Sequence, residues 1–126
     1  HMSILTAFNN HFEEFLSDVV RVFPDDMDIA TAATALSKLR KANPRLVIKT
    51  FKEHVKAPYG EQIAEGKLDF FLEKDYTKDV EGSSQANAIL DKIDKIKDPI
   101  NNMEEEEKAK VLKYMQNLCK LCDLYN

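Results

Sequence analysis

At 126 residues, with 44% hydrophobic and 32% charged side chains but only three Gly and four Pro, the chain is the size of one ordinary domain and too short for two independent cores. That balance argues against a disordered tract and against a turn-rich β-sandwich. The formal net charge is -4, and no apolar run is long enough to span a bilayer or to act as a secretory leader, so we expect one intracellular domain over residues 1–126 with no membrane contact.

His1-Met2 reads as an expression-tag scar and carries no structural information. From there Ile4, Phe8, Phe12, Phe15, Val19 and Val22 recur on one stripe of a 3.6-residue helix, widened by Leu5, Leu16 and Phe23, which predicts a first amphipathic helix ended by Pro24. Asp25, Asp26 and Asp28 supply capping oxygens and first-turn charge for a second helix through Ile29, Ala33, Leu36 and Leu39. Asn43-Pro44 breaks the chain and opens a third helix bearing Val47, Ile48, Phe51 and Val55, which Ala57-Pro58 is expected to interrupt. Beyond it, Ile63 marks a helical turn stopped by Gly66, and Leu68, Phe70, Phe71 and Leu72 form an apolar plug. The stretch 74–83 reads as the longest loop. Ser83 or Ser84 caps a helix with Ala86, Ile89, Leu90, Ile93 and Ile96, stopped near Pro99, and a last helix from about Glu104 presents Val111, Met115, Leu118, Cys119, Cys122 and Tyr125. Glu104 to Glu107 gives it first-turn charge, with Glu104–Lys108 and Glu106–Lys110 as expected i, i+4 pairs. No segment alternates with period two. The expected fold is a single all-α bundle of five to seven helices around a Phe- and Ile-rich core.

In their order, the segments "FNNHFEEFLSDVVRVFPDD", "KANPRLVIKTFKEHV", "FFLEKDY", "DPINNM" and the final "YMQNLCKLCDLYN" give a pattern covering nearly the whole chain. It resembles a family of small uncharacterised proteins encoded by large double-stranded DNA viruses of algae and other protists, and by related marine metagenomic sequences. The shared features are patterns of fold, so the resemblance implies an origin and no activity or site residues. It places the protein in an infected cell's cytoplasm or viral factory and leaves virion packaging open.

The sharpest functional lead is a segregation of charge. Between Lys38 and Lys56 stand seven cations, Lys38, Arg40, Lys41, Arg45, Lys49, Lys52 and Lys56, against the single carboxylate Glu53, a local +6 that leaves -10 for the remainder. On an unbroken helix Arg45, Lys49, Lys52 and Lys56 share a strip about 40 to 60° wide. Such a row suits an acidic protein surface or a run of phosphates. It is equally what a solvated face looks like, offset in the fold by carboxylates from elsewhere. No finger motif and no aromatic platform for single strands favours nucleic acid.

Cys119 and Cys122 spell C-x-x-C, but near a helix C-terminus the dipole disfavours a thiolate, and a four-ligand zinc site would need both His11 and His54 to converge on them. They read as buried small side chains, in a reducing compartment and with no cofactor. "GEQIAEGKL" has five residues between Gly60 and Gly66 where a phosphate-binding loop has four, with Leu68 in the hydroxyl position. "DYTKDVEG" begins like a calcium loop, but Val80 and Ala86 occupy the positions of the turn glycine and the bidentate glutamate. No oxyanion hole or orienting carboxylate marks a cysteine–histidine dyad. The expectation is a non-enzymatic interaction or structural protein contacting an acidic protein through the basic face. A nucleic-acid-binding accessory protein using the same face, and a small metal- or cysteine-dependent enzyme, stand as the alternatives. A homo-oligomer is compatible with all three.

Overall fold

The computed structural model describes residues 2–78 and 84–125. Among them it is all-α, with no strand: α1 (Ile4–Val22), α2 (Met27–Ala42), α3 (Leu46–Phe51), a π-helical turn (Lys52–Lys56), α4 (Ala57–Ala64), α5 (Asp69–Glu73), a 3-10 turn (Tyr76–Lys78), α6 (Ser84–Asn101) and α7 (Glu105–Leu124). The Ser83 cap and the centre of the expected loop and calcium-like run lie outside the described residues.

The helix starts are local events. The Ser3 hydroxyl accepts from Thr6 N–H at 3.1 Å, and the Asp26 carboxylate accepts from Ile29 N–H at 3.1 Å, each satisfying an amide that the first turn leaves orphaned. Gly66 ends α4 with φ +89. Lys67 N–H reaches back to Gln62 C=O at 2.8 Å and Gly66 N–H to Ile63 C=O at 3.0 Å, a Schellman closure that needs the left-handed residue. The glycine of the phosphate-loop look-alike is therefore a helix stop.

In the core, α1 packs along α7, and α2 along α6. Between them runs α3, short and nearly encircled: Leu46, Val47, Ile48, Thr50 and Phe51 are all buried, and within the helix only Lys49 reaches water. A helix apolar around most of its circumference belongs inside. Phe8 meets Phe51 edge-on at 5.6 Å and stacks on Phe12 at 6.3 Å. The buried Asn9 amide donates to the Pro44 carbonyl at 2.9 Å, tying the α2–α3 corner to α1.

Of the two proline expectations, one is corrected and one holds to within two residues. Ala57-Pro58 does not interrupt the third helix, because the turn before it widens: Ala57 N–H bonds to Lys52 C=O, five residues back. The wider turn draws the His54 carbonyl away from the Pro58 ring, which would collide with it in a regular helix. The helix α6 does stop near Pro99, though it runs two residues past it to Asn101. A proline inside a helix costs about 3 kcal/mol, whereas burying Ile96 and Ile100 returns roughly 1.5 to 3 kcal/mol each. Packing outweighs the local rule.

Three further corrections concern single side chains. Phe70 is 51% exposed and outside the plug that Leu68, Phe71 and Leu72 do form. Tyr76, inside the expected loop, is fully buried, its hydroxyl donating to Phe71 C=O at 2.8 Å and its N–H to Asp94 at 3.1 Å. Beside it Lys97, only 8% exposed, donates to the Lys74 carbonyl and faces Asp94 at 3.3 Å, which compensates the buried ammonium. Finally, among the described residues Lys110 pairs with Glu107, not Glu106, Lys108 has no pair with Glu104, and Glu107 also reaches Arg21 on α1.

Phe12 and Phe15 are 2% and 4% exposed, so Phe12→Ala and Phe15→Ala should each destabilise by about 3 to 5 kcal/mol. Urea unfolding followed by circular dichroism measures this; a cost under about 1 kcal/mol for both would contradict the packing described.

Candidate functional site

The seven cations of the basic segment divide into two groups. Arg40 turns inward: its guanidinium grips Glu13 of α1 at 2.7 and 2.8 Å, and the Ser37 hydroxyl donates to the same oxygen at 2.8 Å. Both ionic side chains are half-buried. This pair braces α2 on α1, and it removes one charge from the surface.

The π-turn splits the rest. Arg45 and Lys49 precede it, and Lys52 and Lys56 are its first and last residues. Lys52 donates to the Tyr125 carbonyl at 3.2 Å, and Lys56 pairs with Asp123. Both cations thereby sit at the C-terminal end of α7, where unsatisfied carbonyls and the helix dipole favour positive charge. The hydrogen bond to Asp123 holds Lys56 above its usual ammonium value.

Four cations remain. Lys38 and Lys41 on the last turns of α2, Arg45 at the corner and Lys49 on α3 are exposed and form no ion pair among the described residues. Lys38 and Lys41 lie about one helical turn apart, as do Arg45 and Lys49, and the two pairs flank the Asn43-Pro44 corner that Asn9 clamps to α1. The chain thus carries two exposed cations on each side of a corner that is tied to the core. Its outward direction follows from the burial of every other residue of α3.

Cys119 and Cys122 lie buried on α7. Burial foremost, with the Asp123 charge, pushes the Cys119 thiol up to about 11. Burial and the neighbouring Cys119 push Cys122 to about 12. At neutral pH both are protonated, a poor state for attack or metal ligation. His11 is elsewhere: its ring lies 4.9 Å from Tyr114 and its Nδ1 3.6 Å from Glu14. Among the described residues no group of three or more His, Cys, Asp or Glu side chains is spaced to hold a metal ion, and no helix is long and apolar enough to cross a membrane. A groove of about 610 Å³ between α4 and the end of α7 is lined by Gln62, Gln116, Cys119 and the Lys56–Asp123 pair. The thiol that it offers, Cys119, is the protonated one.

Sequence reasoning missed the polar seam between α1 and α7. Tyr114 donates to Asp18 at 3.0 Å, and Arg21 bridges Asp18 at 3.1 Å and Glu107 at 3.3 Å. Against the opposing effect of burial, the hydrogen bonds from Arg21 and Tyr114 hold the Asp18 carboxyl below its usual value. The partners are about 90 residues apart, and no local pattern announces them. Compared with known proteins, the chain matches no family model, no curated protein and no solved structure.

A pH prediction comes from the thiols. Each titrates higher in the folded chain than in the unfolded one, so the folded state keeps its protons longer. Their contribution to stability is intact below about pH 9 and is lost as pH rises through about 11 to 12. The double variant Cys119→Ala, Cys122→Ala should lose on the order of 1 to 3 kcal/mol at pH 7 through packing. Urea unfolding at pH 8 and pH 10.5 should then show a smaller further loss in the variant than in the native chain. Equal losses would mean that the thiols are not buried as described.

Proposed function

We propose that this protein, whose sequence resembles small proteins of large DNA viruses, is a non-enzymatic interaction protein that docks an acidic protein surface on the basic corner. What supports this is the unequal fate of the seven cations: Arg40 is half-buried on Glu13, and Lys56 and Lys52 are engaged at the surface by Asp123 and the Tyr125 carbonyl, while Lys38, Lys41, Arg45 and Lys49 are exposed on either side of a clamped corner with no ion pair among the described residues. Exposed charges add little to folding stability, so this cluster can serve association without cost to the core. A chain of net charge -4 is poorly matched to the dense charge of a duplex, about one per 1.7 Å of axis, and four cations are few for such a contact. A folded acidic surface carries a lower charge density, and steering by a local basic patch raises its association rate.

Fluorescence anisotropy tests this with a labelled Asp/Glu-rich peptide of about a dozen residues and, separately, a labelled duplex of about 20 base pairs, each at low and moderate salt. The peptide should bind, and Arg45→Glu with Lys49→Glu should weaken it at least about tenfold while shifting Tm by less than about 2 °C. Lys52→Glu with Lys56→Glu should weaken it far less, because the end of α7 already holds those charges. Tighter, steeply salt-dependent binding of the duplex would replace the proposal with the nucleic-acid reading, and binding of neither ligand would leave a solvated face.

A further inference from the structure

The groove of about 610 Å³ between α4 and the end of α7 has the size of a small-molecule site. Two contacts fix the register of its walls: the Gln116 amide donates to Ile63 C=O at 3.0 Å, and Lys56 pairs with Asp123. The two helices therefore run antiparallel, and three residues from the first contact Gly60 of α4 stands at the level of Cys119 on α7. Gly60 lies inside α4 without the left-handed backbone that calls for glycine. A Cβ there would meet only the Lys56 Cγ, at 3.5 Å, an ordinary contact. Alanine is the better residue inside a helix, so neither the backbone nor the packing requires glycine at this position. What the missing side chain does is leave the space opposite Cys119 open.

Polar groups converge on that space. Gln62 lines the groove, and its Oε1 is buried with no hydrogen-bond partner, an unfavourable state that an arriving donor relieves. Glu61 on the α4 wall and Lys120 on the α7 wall are exposed and form no ion pair among the described residues. By the same register they are offset by two residues, roughly 3 Å, along the groove, short enough for two charges carried on one carbon atom. The lining holds two lysines and two carboxylates, of which Lys56 and Asp123 already satisfy each other. A simple anion meets Glu61 as a repelling neighbour, and a simple cation meets Lys120. A molecule with both charges finds an opposite partner on each wall.

We infer that the groove binds a small zwitterion, a free α-amino acid with an N–H donor in its side chain: the ammonium sits on Glu61, the carboxylate on Lys120 and the side-chain N–H on the Gln62 oxygen, in the room that Gly60 leaves. The inference does not rest on the acidic-partner reading, because Lys38, Lys41, Arg45 and Lys49 do not line this groove. So small a ligand, held by two charges that are themselves in water, should dissociate with a Kd of about 0.1 to 5 mM.

A nitrogen-15 NMR titration of the full chain tests this with three probes: L-glutamine, N-acetyl-L-glutamine, which lacks the ammonium, and L-glutaminamide, which lacks the carboxylate. L-Glutamine should shift the amide resonances of 57–64 and 116–123 saturably, and each single-charge probe should bind at least about fivefold more weakly. Glu61→Gln should remove the preference for L-glutamine over N-acetyl-L-glutamine, and Lys120→Gln the preference over L-glutaminamide. Gly60→Leu should abolish binding by filling the groove, with circular dichroism confirming that each variant is folded. The inference is overturned by the absence of saturable shifts with L-glutamine up to about 20 mM, by equal binding of either single-charge probe to the native chain, or by a folded Gly60→Leu variant that binds as the native chain does.

Discussion

The burial of α3 is the constraint on which the remaining structure depends. Five of its six side chains enter the core, and Phe51 meets Phe8 of α1 edge to face, so α1, α2 and α6 must close around it. Closure leaves one position, Lys49, facing water. The chain has to enter this buried helix through Asn43-Pro44, and the backbone carbonyl of Pro44 would be left without a protein donor at the edge of the core if Asn9 did not supply one. A lost hydrogen bond there would cost about 1 to 3 kcal/mol, a large share of the margin by which a domain of this size is stable. The basic corner is therefore held in place by the same interactions that hold the fold.

Charge is distributed according to what each site can compensate. Arg40 and Glu13 are half-buried and share a third donor in Ser37, the condition under which a desolvated ion pair can be tolerated. Lys52 and Lys56 end on the carbonyls and carboxylate at the close of α7, where the helix itself is the counter-charge. Lys97, deeper still, is matched by Asp94, a carbonyl and the Tyr76 ring, whose centroid lies 5.9 Å away. The corner cations have none of this compensation and need none, because water solvates them. That difference separates charges belonging to the fold from charges available to another molecule.

The helix α2 carries opposite charges at its two ends. Its buried side, Ile29, Ala32, Ala33 and Leu36, is small and packs close to its neighbours, which leaves an outer face of Ala, Thr and end charges. The acidic end caps the helix through Asp26 while its neighbours Asp25 and Asp28 remain exposed. The basic end runs into the corner. A helix polarised in this way is favoured by its own dipole.

Much of the architecture was legible in the residues alone. The 3.6-residue recurrence of Phe8, Phe12, Phe15 and Val19, the capping oxygen of Asp26 and the stop at Gly66 act over one or two turns, so their physics is contained in a short window. Reading failed where a distant contact outweighed a local rule. Pro58 should end a helix, yet the core holds Val55 and Ile63 on either side of it, and the backbone yields with a π-turn. Tyr76 looked like loop because its partners, Phe71 carbonyl and Asp94, become neighbours only when α6 packs across it. The basic row was visible as composition, but which cations are spent and which remain was settled by Glu13, Asp123 and Tyr125, which lie 27 to 73 residues away from the cations they engage. Helical periodicity and capping are encoded locally. Ion pairing is a matter of through-space distance, and only closure of the chain sets that distance.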